Sequence, residues 1–165
     1  MKKIILFLLL LLLTFPLFAQ FRGYEWGTSA EVIIASEGTP TEEEYSIQGK
    51  IRLLTYQDES ALGTPCVIFY YFLEDYFVQG AYHWNTTLVE DRLINILFDQ
   101  YPTTDEFYSV SKYPTEEIHE WKNLNLDDFT GFIDLHIYRV RGFMCIYYMC
   151  REWKLILEES KKMEF

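Results

Sequence analysis

The sequence predicts an α+β domain, an antiparallel sheet built from two helix–β-meander repeats with the helices on one face. Three observations carry that expectation. Two capping-box patterns, Thr28-Ser-Ala-Glu31 and Thr87-Leu-Val-Glu90, each stand at the head of a candidate helix. Each candidate helix is followed by three strand-like segments. The links between those strands are short, which joins them as antiparallel neighbours and sets the helices apart from the strands.

The elements follow in order. The first helix spans about Ser29 to Glu37 and is stopped by Gly38 and Pro40. Strands are expected over Ile51–Gln57, Cys66–Leu73 and Tyr76–Trp84. The Cys66–Leu73 run is apolar on both faces, as a central strand is, and Glu74-Asp75 supplies a tight turn. The second helix spans about Leu88 to Tyr101 and ends before Pro102. Val89, Leu93, Ile96 and Leu97 form its apolar stripe, with Glu90, Asp91, Asn95 and Asp99 opposite. Strands then fall at Ile118–Lys122, Gly131–Arg139 and Phe143–Cys150. In the middle one Ile133, Leu135 and Ile137 alternate with Asp134, His136 and Tyr138. Thr39–Gly49 and Pro102–Thr115 read as polar loops with room for short extra strands. Whether the halves, 20–85 and 86–150, share one sheet is open at this point. Residues 151–165 form a charged tail with helical potential.

The N-terminus reads as an export signal. Lys2 and Lys3 precede ten unbroken apolar residues, Ile4 to Leu13, and Leu17-Phe-Ala19 ends on a small residue, so cleavage is expected after Ala19. A span would need roughly 20 apolar residues, so no membrane span is expected once residues 1–19 leave. The destination is periplasmic or secreted. Cleavage leaves 146 of the 165 residues, enough for one domain with a core of its own. Losing Lys2 and Lys3 takes 14 cations to 12 against 25 acids, a net charge of −13. That balance argues against nucleic acid or an anionic membrane surface as partner.

Candidate chemistry is sparse. His83, His119 and His136 show no metal-binding spacing, although Asp134 shares a strand face with His136. No G-x-S-x-G elbow or phosphate-binding glycine loop is present. Cys66 with a histidine would make a nucleophile pair, but it enters an apolar strand where a thiol is inert. Glu42-Glu43-Glu44 and Asp127-Asp128 read as solvated acids. Cys66, Cys145 and Cys150 leave two alternatives open, a bridge from Cys66 to one of the others or three buried thiols. Cys145 and Cys150 cannot bond to each other, being about 16 Å apart along one strand. No catalytic, cofactor or metal residue is therefore expected, and the chain reads as a non-enzyme. Aromatics are the residual signal, with 13 Tyr and 13 Phe. Tyr24, Trp26, Trp84 and Trp121, at element ends, are the candidate recognition residues.

Phe21-Arg-Gly-Tyr-Glu-Trp-Gly-Thr-Ser29, Val32, Glu37-Gly-Thr-Pro40 and the strand Tyr70-Tyr71-Phe72 resemble the opening of a group of small exported bacterial proteins of unknown function. The likeness continues through Trp121 and the strands at Ile133–Ile137 and Ile146–Tyr148. More remotely, a capped helix ending in Gly-x-Pro before a meander is similar to the SmpA/BamE outer-membrane assembly lipoproteins and the β-lactamase-inhibitor proteins. This chain lacks the lipidated Cys of the former and a matching inhibitory loop of the latter. The resemblance implies a non-enzymatic module binding another envelope protein. The alternative reading of the aromatic content is an apolar small molecule or lipid held on a sheet face.

Overall fold

The computed structural model describes residues 21–46, 49–126, 129–138, 141–151 and 153–154. The signal segment and most of the charged tail therefore lie outside the described residues, as do Asp127 and Asp128. The chain runs α1 (Ala30–Glu37), β1 (Glu42–Tyr45), β2 (Ile51–Ala61), β3 (Thr64–Leu73), β4 (Tyr76–Trp84), α2 (Glu90–Gln100), β5 (Tyr108–Lys112), β6 (Glu117–Leu126), β7 (Phe129–Tyr138) and β8 (Phe143–Cys150).

The eight strands form one antiparallel sheet in the order β1-β2-β3-β4-β8-β7-β6-β5. This corrects the expected fold class. The expectation was an α+β domain of two helix–meander repeats with helices on one face. The molecule is instead dominated by a single sheet, with two short helices among the described residues. Its centre is the β4–β8 ladder, which runs from Gln79↔Met149 to Trp84↔Met144 and makes the two halves one body. The physical reason is that helix caps and apolar periodicity are local signals, whereas pairing between segments some 65 residues apart is not.

Both polar loops contribute strands. Glu42–Tyr45 is exposed along its whole length. It is held by its ladder to β2 and by Arg52, which pairs with Glu43 at 2.8 Å and lies over the Tyr45 ring. Its acidic side chains repel another strand from that open edge. The capping boxes do not form. Thr28 Oγ1 donates to Glu25 C=O, and Ser29, with no side-chain cap bond, stands at the head of α1. Val89 holds the same place in α2, also without a cap bond. Gly38 ends α1 at φ 94°, a left-handed conformation suited to glycine, and its N–H closes on Ile34 C=O.

Alternation divides the sheet. One face carries Leu54, Tyr56, Ile68, Tyr70, Trp84, Trp121, Ile133, Leu135, Met144 and Ile146, joined in the main core by Ile33 of α1 and Leu93 and Leu97 of α2. An N-terminal arm, Phe21–Ser29, lies beside β4. Gly27 N–H donates to Phe77 C=O, and Phe77 N–H donates to Thr28 C=O. The arm's Phe21 ring crosses the sheet at Gly80, where no side chain stands in its way. The other face has a smaller cluster of Val78, Met149 and Cys150 covered by Trp153.

Candidate functional site

A cleft of about 370 Å³ opens over the middle of the sheet, between α2 and the N-terminal arm. Its floor comes from the two central strands, Tyr82 and Trp84 of β4 beside Ile146 and Tyr148 of β8. These side chains share a face because Tyr82 pairs with Ile146 across the ladder and alternation repeats every second residue. Leu93 and Ile96 of α2 form one wall. Arg22 of the arm and Ser60-Ala-Leu62 at the β2–β3 hairpin complete the lining.

The walls are fixed by polar contacts behind them. Trp84 is buried and stacks on Tyr82 at 5.6 Å. Its Nε1–H reaches Ala61 C=O at 3.4 Å. Arg92 Nη1 donates to Leu62 C=O at 3.1 Å and so ties the hairpin to α2. On the opposite side Arg22 pairs with Glu37 at 3.0 Å and more loosely with Glu59 at 3.6 Å. Glu37 also accepts from the Tyr24 and Tyr70 hydroxyls at 2.9 and 3.0 Å. The hairpin is thus gripped by an arginine from each side of the cleft.

Inside, the lining mixes apolar side chains with the hydroxyls of Ser60, Tyr82 and Tyr148 and with Arg22, itself paired to Glu37 and Glu59. Burial pushes the Tyr82 phenol up to about 12 and raises Tyr148 further. Both therefore stay protonated at any physiological pH and can donate a hydrogen bond. The chemistry on offer is shape, apolar contact, neutral O–H groups and guanidinium charge at the edges.

The residues singled out from sequence scatter. Of the four aromatics, Trp84 lines the cleft. Tyr24 and Trp26 anchor the arm, the one through Glu37 and the other by stacking on Phe77 at 4.9 Å. Trp121 is fully buried beneath α2, with Phe98 against its ring at 5.9 Å. Arg22, Tyr82, Arg92 and Tyr148 were not marked as site residues, and Leu93 and Ile96 read only as the apolar side of a helix.

The histidines lie apart. His83 and Cys66 line a second, smaller pocket of about 220 Å³ at the end of β3 and β4. Burial holds the His83 imidazole down at about 4 and pushes the Cys66 thiol up. At neutral pH this is a thiol near an uncharged ring, without the thiolate that nucleophilic attack needs. His119 is buried on the main-core face. Its Nδ1 lies 2.6 Å from the Tyr108 hydroxyl, and its Nε2 lies 3.1 Å from Glu117 Oε1, outside hydrogen-bond geometry. His136, on the other face, pairs with Glu116 at 2.8 Å. Asp134 does share that face, but its partner is Lys154 at 2.5 Å. Among the described residues no three His, Cys, Asp or Glu side chains converge to hold a metal ion. The three cysteines are buried free thiols. A bridge from Cys66 to Cys145 or Cys150 is ruled out here because β4 lies between β3 and β8.

No family model, characterised protein or solved structure matches this chain. The functional reading therefore rests on the cleft itself. Among the described residues no helix is long and apolar enough to cross a membrane.

Proposed function

We propose that this chain is a non-enzymatic binding module, exported across the inner membrane, that takes an apolar small molecule into the cleft between α2 and the N-terminal arm. The observation that carries the reading is the cleft lining: Tyr82, Trp84, Ile146 and Tyr148 beneath Leu93 and Ile96, with two protonated phenols as the neutral polar groups. An apolar concavity of a few hundred Å³ with a few orienting polar groups is what small-ligand sites provide. Withdrawal of apolar surface from water, at about 25 cal/mol per Å², is the driving force such a lining offers a short hydrocarbon chain.

A second reading is a protein partner, another envelope protein, as the resemblance implies. It is favoured by the far edge of the sheet. There β5 pairs with β6 alone among the described residues, and Val110 and the following Tyr113 are exposed. A free edge can accept an added strand.

Native mass spectrometry of the protein purified from its own cell envelope separates the two. The small-molecule reading predicts a bound small mass in the wild type that disappears in Ile96→Trp, whose indole fills the cleft. A bare mass for both proteins would overturn it, and a co-purifying polypeptide retained by Ile96→Trp would favour the β5 edge.

A further inference from the structure

The cleft carries an unspent positive charge at its rim. Arg92 stands exposed on α2, next to Leu93 of the lining and one turn before Ile96, and its guanidinium donates to the backbone carbonyl of Leu62, a residue of the facing wall. A guanidinium has five N–H donors. Among the described residues Arg92 uses them on this one carbonyl and is within ion-pair distance of no carboxylate. That is notable in a chain with 25 acidic residues and a net charge of −11. Arg22 and Arg52 differ. Arg22 is bound to Glu37 and Glu59, and Arg52 to Glu31, Glu43 and Asp75. Across the cleft mouth, Arg22 is held loosely by Glu59, at 3.6 Å, and Glu59 is itself partly exposed.

We propose that the ligand of this cleft is a single-chain carboxylate amphipath, a fatty acid of medium length, with its tail on the Tyr82–Tyr148 floor and its carboxylate on Arg92. This deepens the small-molecule reading above and rests on it. The tail argument is one of size. About 370 Å³ equals the liquid volume of roughly a dozen waters, which suits a chain of about ten heavy atoms. The head argument is one of charge. A planar carboxylate matches the guanidinium fork, and the rim offers Arg92 with no competing acid on it. A neutral alcohol of equal length would fill the same floor and gain nothing from Arg92. A cationic amine would be repelled there. The tail thus supplies most of the binding and the rim arginine the choice of head group.

The test is isothermal titration calorimetry of the purified full chain with decanoate and with decanol, repeated on Arg92→Gln and on Ile96→Trp. Wild type should bind decanoate at least tenfold more tightly than decanol, about 1.4 kcal/mol. Arg92→Gln should erase the preference, bringing the ratio of decanoate to decanol affinity to about one. Ile96→Trp should abolish both. Equal affinities in the wild type, or a decanoate preference that survives Arg92→Gln, would overturn the carboxylate assignment while leaving an apolar cleft standing. Binding of neither compound, or binding that Ile96→Trp does not affect, would overturn the cleft reading as well. Circular dichroism of each variant checks that the sheet is intact.

Discussion

A methyl group at position 80 would meet the Phe21 ring at 2.1 Å, well inside any real contact. Phe21 is buried against Tyr70, Tyr82 and Tyr148, so the ring has little space to retreat. Gly80→Ala should therefore destabilise the fold by about 1–3 kcal/mol through overpacking, read from the urea midpoint. A smaller effect would mean that the arm lifts away easily. His83 makes a second residue-scale prediction. Its pKa is held at about 4 in the folded protein against an ordinary 6.5. Between those values the unfolded chain takes up a proton that the folded chain refuses, so stability is lost as pH falls from about 6.5 toward about 4. Burial lowers His119 too and adds in the same direction. Denaturation across this range should show the wild type losing stability more steeply than His83→Asn. Parallel curves would contradict the burial of the ring. Nothing local in the sequence marks either effect, because the Phe21–Gly80 contact joins residues that only folding brings together.

At the scale of elements, the C-terminal end of the described chain makes the sharpest prediction. Trp153 covers Val78, Met149 and Cys150 on the face opposite the main core, and its Nε1–H donates to Gln79 Oε1 at 2.7 Å. Trp153→Ala should cost about 3–5 kcal/mol. Trp153→Phe, which keeps most of the packing but strands a buried amide oxygen, should cost about 1–3 kcal/mol. Equilibrium urea unfolding separates the two, and near-equal values would show that the hydrogen bond outweighs the packing. Much at this scale was legible. The alternation of Ile133, Leu135 and Ile137 marked β7, and the doubly apolar run from Cys66 marked β3. Glu74 and Asp75 do turn the chain in two residues, both in the left-handed region at φ 50° and 70°. Other elements were hidden for physical reasons. Glu42–Tyr45 buries nothing, so no periodic signal marks β1 as a strand. It is held by backbone pairing and by Arg52. The capping boxes misled because neither Thr28 nor Thr87 caps its helix through its hydroxyl. Thr28 turns back to Glu25, and Thr86, not Thr87, accepts the N–H of Leu88.

At the scale of the whole molecule, a single pairing decides both fold and site. Joining β4 to β8 turns two meanders into one sheet and sets Tyr82 and Trp84 beside Ile146 and Tyr148. No motif encodes that adjacency, since the four residues come from opposite halves of the chain. Trp84 was singled out from sequence because it is a large aromatic at a strand end. Its neighbours in the cleft passed as ordinary strand and helix residues. The same pairing explains why the three cysteines stay apart, with a strand between Cys66 and the other two. The central claim is that ligand enters the cleft over this ladder. Its most direct test is a ¹H–¹⁵N correlation titration of the isotope-labelled protein with decanol, which needs no charge at the rim. The account predicts shifts concentrated at Leu62, Tyr82, Leu93, Ile96, Ile146 and Tyr148, with β1 and the Trp153 face unmoved. Shifts centred on β5 or on the Trp153 face, or no saturable shifts at all, would contradict it.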